Sequence, residues 1–334
     1  MDREPEELQF LGIVGICHEA SKILHSWQRL FAQIALALVL PLSVLFLAHI
    51  YVSHLLFSKI DRSEVALDVA TPGSPSESAI LSRLSAEWSA FLLFKAAYLL
   101  ALLVLSLLST SAVVYSVASI YTAKDLSFAK VLAVVPKVWR RLMITFLWAF
   151  LLLVAYNTAA LILAVLAVLL LGPHTAGLVA IALIALVYAA GLVWISVVWH
   201  VASVVSVLED ACGIEAMRKS RALIRGKTWT AVAIFVVLNL CFVGVEVGFR
   251  LAVVRGNYLN LGVGSRVGYS VLMLSFLCAV ILFALVAQTV VYFVCKSYHH
   301  ESIDKSSLAD HLEVYLGDYM PLKARDVQLE QFHV

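Results

Sequence analysis

Residues 161–190 read LILAVLAVLLLGPHTAGLVAIALIALVYAA, and this stretch decides the fold class of the chain. The apolar sequence around it extends from residue 142 to residue 207 without a Lys, Arg, Asp or Glu. A helix crosses the hydrocarbon core of a bilayer in about 20 residues, so this run is too long for one crossing. Gly172-Pro173 and Gly177 are typical of a turn, and they predict two transmembrane helices joined by a short hairpin.

Four further apolar stretches are long enough to cross a membrane. Together with the first pair, they predict helices near residues 30–57, 91–121, 142–171, 178–207, 230–254 and 267–295. Backbone amides in lipid must be satisfied within a helix or a closed barrel, and these unbroken runs lack the alternation of barrel strands. The sequence therefore predicts an all-α fold, a polytopic membrane bundle of about six transmembrane helices with interfacial amphipathic helices.

The composition excludes a cytosolic globular protein. Of the 334 residues, 62% are hydrophobic and 14% are charged, whereas about 25% of residues are charged in soluble domains. The 24 Lys and Arg residues nearly balance the 22 Asp and Glu residues, so no nucleic-acid partner is expected.

The N-terminal sequence does not resemble a cleavable signal peptide. The first apolar run is too long for one, and the segment before it begins with acidic residues. The first helix is therefore expected to remain in the protein.

The distribution of basic residues predicts the orientation. The N-terminal segment, the second and fourth loops and the C-terminal tail hold 17 of the 24 Lys and Arg residues, and the other three loops hold five. Cytoplasmic loops are the ones enriched in Lys and Arg, so both termini are expected in the cytoplasm. An endomembrane such as the endoplasmic reticulum is a plausible location for a multi-pass protein that keeps its first helix. The sequence does not indicate an oligomeric state.

The chain divides into three regions. Residues 1–29 are predicted to form a cytoplasmic segment with an interfacial helix, residues 30–295 the six-helix domain, and residues 296–334 a cytoplasmic tail. The tail carries apolar residues that could dock on the bundle or bind cytoplasmic protein partners. The Ser-rich first loop, residues 58–90, is expected to be mobile.

Two cytoplasmic loops have amphipathic patterns. In the second loop, Phe128, Leu132, Val135 and Trp139 share a helical face, which predicts a helix at the lipid surface whose length Pro136 limits. In the fourth loop, a helix capped by Asp210 and ending near Gly226 is expected, with Glu215 positioned to support Lys219. The residues expected to bind anionic headgroups are Lys130, Lys137, Arg140, Arg141, Arg218, Arg221 and Arg225. The alternative is that these charges only set the orientation.

Polar residues inside the predicted helices form a candidate stripe. Its members are Ser196, His200 and Ser203 on helix 4, and Asn239, Glu246 and Arg250 on helix 5. The spacing of Glu246 and Arg250 suits an ion pair, and Gly244 with Gly248 suits close helix packing. Lys95 is expected to reach the interface. The stripe could line a path for a solute or proton, or it could clip helices together.

Catalytic and metal-binding motifs are weak throughout the sequence. The run His299-His300-Glu301 is not the H-E-x-x-H zinc motif, and residues 262–268 do not match G-x-G-x-x-G. No G-x-S-x-G nucleophile elbow occurs. We therefore expect no enzyme activity, no metal and no cofactor.

The sequence also contains a weak internal repeat. Ser-Val-x-Ser occurs at residues 116–119 and again at 203–206, which suggests either a duplication of two helical pairs or a chance match in small-residue helices.

The fourth loop also carries a family resemblance. The run VLEDACGIEAMRKSRALIRGK, residues 207–227, resembles a loop of the membrane domains of bacterial glycerophosphoryl diester phosphodiesterases. The segments ELQFLG (7–12), VPKVWRR (135–141) and HLEVYLG (311–317) resemble a family of plant six-span integral membrane proteins of unknown function. In the bacterial enzymes, catalysis belongs to a separate soluble domain. The resemblance therefore implies no phosphodiesterase activity here.

Two functions remain compatible with the sequence. The first is a non-enzymatic multi-pass membrane protein that organises the membrane or its partners through basic cytoplasmic loops. The alternative is a transporter of a small solute or lipid that uses the polar faces of helices 4 and 5. We favour the first, because charged residues are absent from the middle of helices 1, 3, 4 and 6.

Overall fold

The computed structural model describes residues 9–70, 74–122, 127–172, 174–256 and 262–299. Within these ranges the helices are α1 (Ile13–Ser26), α2 (Gln28–Ile34), α3 (Leu40–Val69), α4 (Pro75–Tyr121), α5 (Phe128–Leu171), α6 (Thr175–Leu208), α7 (Ile214–Ile224), α8 (Thr228–Phe249) and α9 (Val263–Tyr298). A π-helical turn, Ala35–Val39, joins α2 to α3, and another, Arg250–Val254, extends α8. The described residues contain no strand, which confirms the all-α class.

Six stretches are long and apolar enough to cross a membrane. They are Gln28–Val69, Pro75–Tyr121, Val138–Leu171, Thr175–Leu208, Thr228–Val254 and Val263–Tyr298. Each contains one of the predicted helices, so the polytopic bundle is confirmed. The short helices α1 and α7 lie at one end of the bundle together with the first residues of α5. We call this end the basic end and the opposite one the far end.

The buried core is concentrated at the basic end. Residues 111–120 of α4 and 201–208 of α6 are all buried, and so are residues 289–295 of α9. Tyr292 and Phe31 are among the largest fully buried side chains of this cluster. Towards the far end, α5 and α6 expose many leucines and valines, as lipid-facing helices do. The basic end is therefore the part of the bundle best suited to hold side chains in fixed positions.

The first loop is not the mobile segment predicted for residues 58–90. Helix α3 continues to Val69, and α4 begins directly after Ser74, whose side chain accepts a hydrogen bond from the Glu77 backbone N–H at 3.2 Å. The two helices are linked beyond the apolar region by Ser63, which donates to Glu87 at 2.8 Å. The Ser-rich sequence is an efficient helix start rather than a loop, because Ser caps the helix and Pro75 suits its first turn. Residues 71–73 lie outside the described part of the chain.

The second loop is also different from its prediction. Helix α5 runs through Pro136 without a break, so proline does not limit the helix. Val131, Val134, Val135 and Val138 are buried in the core. Burying a valine contributes about 1.5 kcal/mol or more, so four of them outweigh the roughly 3 kcal/mol that proline costs inside a helix.

The apolar face predicted to enter lipid is largely used inside the protein. Val135 is buried, and Phe128 and Trp139 pack against the core, whereas Leu132 is 46% exposed. The prediction of a lipid-inserted helix at this loop was wrong for these three residues, because an amphipathic pattern does not distinguish a protein partner from a lipid one.

The fourth loop contains the predicted helix with a different start. Helix α7 begins after Gly213, which has a φ of 62°, a left-handed conformation that favours glycine. Asp210 lies too far ahead to cap it and instead pairs with Arg141 at 2.7 Å. Lys219 pairs with Glu209 rather than Glu215.

The predicted duplication of two helical pairs is not tested by the structure and stays a prediction. The predicted docking of the tail concerns residues beyond 299, which lie outside the described ranges.

Candidate functional site

A single carboxylate ties three helices together at the basic end. Glu209 follows the last residue of α6, and its Oε1 accepts hydrogen bonds from the Tyr292 hydroxyl at 2.6 Å and Lys296 Nζ at 3.0 Å. Its Oε2 lies 2.6 Å from Lys219 Nζ. The Glu209 side chain is only 14% exposed. It therefore holds α7, through Lys219, against α6 and α9.

The partners of Glu209 determine its charge. Burial alone would raise the pKa of Glu209, but hydrogen bonds from Lys219 and Tyr292 and the charge of Lys296 outweigh this effect. The pKa of Glu209 consequently lies below its usual value. Glu209 is therefore ionised at neutral pH, which suits its role between two ammonium groups.

Further hydrogen bonds hold α7 along its length. The Ser220 hydroxyl, which is buried, donates to the Val198 carbonyl at 2.7 Å. At the end of the helix, the His299 ring N–H donates to the carbonyls of Leu223 and Arg225 at 3.0 and 2.9 Å. One face of α7 is thus fixed on the bundle, and the opposite face points away from it.

The exposed face of α7, together with the residue that directly follows the helix, carries three of the predicted headgroup-binding residues. Arg218, Arg221 and Arg225 are exposed, and none of them pairs with a carboxylate among the described residues. Trp229, in the first turn of α8, is 85% exposed, as an aromatic residue at a membrane interface would be. The same end of the bundle therefore presents arginine and tryptophan side chains outward.

The remaining predicted headgroup-binding residues belong to the first part of α5. Lys130 and Arg140 are exposed. Arg141 is partly buried by its ion pair with Asp210, which makes it a structural residue as well as a charge. The side chain of Lys137 lies outside the described part of the structure.

A cavity of about 280 Å³ lies inside the membrane region, between α6, α8 and α9. Its wall is mainly valine, isoleucine, leucine, alanine and phenylalanine, with three polar side chains, His200, Asn239 and Gln288. His200 Nδ1 and Gln288 Oε1 are 3.0 Å apart. The rise from His200, Asn239 and Gln288 to the basic ends of their helices is about 12 to 16 Å, so all three lie at similar distances from the basic end.

The predicted polar stripe divides into two separate groups. His200 and Asn239 border the cavity, and Ser203 donates to the His200 carbonyl at 2.7 Å. Ser196 is half-buried and does not line the cavity. Glu246 and Arg250 lie nearer the far end, where the predicted ion pair is confirmed at 2.7 Å.

The second group, near the far end, includes residues of α3 and α4. Lys95 Nζ is 2.8 Å from His49 Nε2 and 3.2 Å from the Ser53 hydroxyl. These partners hold Lys95 against α3, and its reach to the interface stays a prediction. Of the two glycines predicted to pack closely, Gly248 lies beside Met273, which would be 3.3 Å from a Cβ added at this position, whereas Gly244 has open space beside it.

Comparison with protein families gives a match over nearly the full chain. The model of the family described as "Domain of unknown function (DUF8558)" covers residues 1–332. The chain belongs to this family. Neither a curated protein nor a solved structure matches it. The DUF8558 match includes the basic end, the cavity and the polar group near the far end.

Sequence reasoning missed two important residues of this DUF8558 protein. No role was predicted for Glu209, although its position directly after an apolar helix indicates a charge at the membrane boundary. Gln288 is the only amide side chain between residues 267 and 295. A lone amide in an apolar helix costs free energy unless it is hydrogen-bonded, and this signal could have identified it. Among the described residues, no group of three or more His, Cys, Asp or Glu side chains could hold a metal ion.

Proposed function

We propose that this protein is a non-enzymatic multi-pass membrane protein whose basic cytoplasmic face binds anionic lipid headgroups and so organises the membrane around it. The observation that carries the proposal is the outward face of α7, with Arg218, Arg221 and Arg225 exposed and without carboxylate partners in the described ranges. A basic residue near an anionic membrane surface contributes about 1 kcal/mol of binding free energy.

The way α7 is held supports this role. Its opposite face is fixed through Lys219, Ser220 and Leu223, so little backbone entropy remains to be lost when a ligand binds. Arginine also presents several N–H donors in one plane, which suits phosphate oxygens. The alternative of a transporter that uses one continuous polar path has less support, because the polar residues fall into two groups.

The location and ancestry of the chain belong to the same proposal. We propose an endomembrane location such as the endoplasmic reticulum, with both termini in the cytoplasm, supported by the unequal distribution of Lys and Arg. We also propose kinship with the plant six-span proteins and with the membrane domains of bacterial glycerophosphoryl diester phosphodiesterases. In support, residues of the shared loop, among them Glu209, Gly213 and Ser220, are those that position α7.

The proposed orientation predicts a labelling pattern. Single cysteines at Ser76 and at Ala222, each introduced into a cysteine-free background, should react with an impermeant maleimide from opposite sides of sealed vesicles. Both positions are exposed, whereas the neighbouring Ser220 is buried and would not react. If Ala222→Cys is labelled only from the luminal side, the α7 arginines do not face the cytoplasm and the proposal fails.

Headgroup binding predicts a loss of anionic lipid when the α7 arginines are neutralised. After purification from mixed vesicles, the variant Arg218→Gln/Arg221→Gln/Arg225→Gln should retain at most about one fifth of the phosphatidylserine that the wild type retains. The loss of even one contact of about 1 kcal/mol has that effect. Bound lipid is measured by mass spectrometry of the purified protein. Raising the salt concentration should reduce the difference between wild type and variant, because the charges are exposed and screened.

A matched control removes the same charge from the far end. Lys59, Arg62 and Arg83 are also exposed, and replacing all three by glutamine changes the net charge equally. This control should retain phosphatidylserine as the wild type does. Equal retention in the α7 variant and the wild type would show that the arginines serve orientation alone.

A further inference from the structure

The cavity between α6, α8 and α9 contains an incompletely used pair of hydrogen-bonding side chains. His200 and Gln288 come from different helices and meet at 3.0 Å, and both side chains line the cavity. Within the described residues, His200 Nε2 and the Gln288 amide nitrogen have no hydrogen-bond partner, and neither atom is among the fully enclosed unpaired ones. Each is therefore accessible to a further hydrogen-bonding partner.

The chemistry of this pair follows from the bond that it already makes. If the His200 Nδ1–H donates to Gln288 Oε1, His200 Nε2 remains as an acceptor and the Gln288 amide as a donor. If the Gln288 amide is turned and donates to Nδ1, His200 Nε2–H becomes the donor and the Gln288 oxygen the acceptor. Both assignments leave one donor and one acceptor free on the pair, although they point in different directions. A hydroxyl group, unlike an ether, can donate a hydrogen bond to the acceptor that remains free.

The surroundings determine the charge and shape of the ligand. The lining contains no Lys, Arg, Asp or Glu, so an ionised group at this depth would lack a counter-charge. The other lining residues are apolar except Asn239, whose amide already donates to the Phe235 carbonyl at 2.9 Å. A volume of about 280 Å³ suits part of a hydrocarbon chain or ring system rather than a whole membrane lipid.

We propose that this cavity binds a neutral lipid alcohol, an apolar molecule whose single hydroxyl group donates to the acceptor left free on the His200–Gln288 pair. The site goes beyond the proposed binding of headgroups at α7, because it lies inside the membrane region, has no charged residue in its wall and shares no residue with that face. Either proposal can fail without the other.

The experiment uses the full-length protein in phosphatidylcholine vesicles and a hexadecanol that carries a diazirine and an alkyne on its chain. After photolysis, the label is expected on peptides of α6, α8 and α9 that line the cavity. Unlabelled hexadecanol should compete at about fivefold to tenfold lower concentration than hexadecyl methyl ether, which cannot donate a hydrogen bond. It should also compete better than palmitate, which carries a charge. Cholesterol and dioleoylglycerol, tested in parallel, distinguish a ring system from an acyl chain as the natural apolar part.

Variants test whether the preference for the alcohol over the ether arises in the cavity. In His200→Phe/Gln288→Leu, which removes both polar groups, the alcohol and the ether should compete within about twofold of each other, whereas Asn157→Leu, an amide-to-leucine change on α5 away from the cavity, should keep the wild-type difference. Ala284→Phe fills the cavity and should lower labelling at least about fivefold.

Two results with the wild-type protein would overturn the proposal, and neither depends on how the variants fold. The first is equal competition by the alcohol and the ether. The second is labelling confined to helices that do not line the cavity.

Discussion

Replacing Glu209 by glutamine is expected to lower the free energy of unfolding by about 3 kcal/mol, because it leaves two ammonium groups close together without their shared carboxylate. Lys296 Nζ and Lys219 Nζ both lie within 3.0 Å of Glu209, and the Glu209 side chain is 14% exposed. The amide oxygen of glutamine can still accept the hydrogen bond from the Tyr292 hydroxyl. The decrease in the free energy of unfolding therefore measures the effect of losing the negative charge. The measurement is thermal unfolding in detergent, where the variant should unfold at a lower temperature.

Glu215→Gln is the matched control for this change. Glu215 lies in the same loop region, in the first turn of α7, but it is exposed and has no ion-pair partner among the described residues. We expect the control to unfold within a degree or two of the wild type. Equal effects of Glu209→Gln and Glu215→Gln would mean that the cluster around Glu209 does not stabilise the fold.

The same carboxylate predicts a response to acid. Because the pKa of Glu209 is lower in the folded protein than in the unfolded chain, its stabilisation is complete above the ordinary glutamate pKa of about 4.3. The stabilisation is lost as the pH falls through the lower folded-state value. Wild type should therefore lose thermal stability below about pH 4 more steeply than Glu209→Gln. Parallel pH profiles of the two proteins would contradict the role of Glu209.

Replacing Thr145 by valine is expected to lower the free energy of unfolding by about 2 kcal/mol. The Thr145 hydroxyl is fully buried, accepts the Gly213 backbone N–H at 2.7 Å and lies 2.7 Å from the Ser206 hydroxyl. It thereby joins α5 and α6 to the turn that starts α7. Valine has a similar shape but no hydroxyl, so the Gly213 N–H would remain buried without a partner.

Thr158→Val is the control for Thr145→Val on the same helix. The Thr158 side chain is exposed, and its hydroxyl donates only to the Val154 carbonyl within α5. The expected change in unfolding temperature is near zero for Thr158→Val and clearly negative for Thr145→Val. Hydrogen exchange should also increase at residues 211–214 in Thr145→Val alone. Unchanged exchange there would show that Thr145 does not hold the turn.

The number and positions of the crossing helices could be predicted because they depend on local composition. A run of about 20 apolar residues has lower free energy in lipid than in water wherever it occurs in the chain, so residues 142–207 indicate two helices without knowledge of their neighbours. The Glu246–Arg250 pair was predictable for the same reason, since a spacing of four residues brings side chains together within one helix.

The partner of each amphipathic face could not be predicted in this way. Phe128, Val135 and Trp139 have a pattern that suits a lipid surface, yet they pack against the protein core. The arginines of α7 share the pattern of a surface helix and do face outward. Hydrophobic periodicity predicts which face of a helix is buried. The same pattern results whether that face is buried in lipid or in protein, so the pattern does not identify the partner.

The candidate sites depend on residues far apart in the sequence. Glu209 meets Tyr292 and Lys296 across 83 and 87 residues, and His200 meets Gln288 across 88. Local sequence therefore determined that helices form and where each crosses the membrane, through its apolar runs, and which end is basic, through the positions of Lys and Arg. Helix order and rotation, which follow from packing around the buried core, decided which polar side chains meet. Such contacts join residues that no local spacing relates, and they exist only once the helices have packed together.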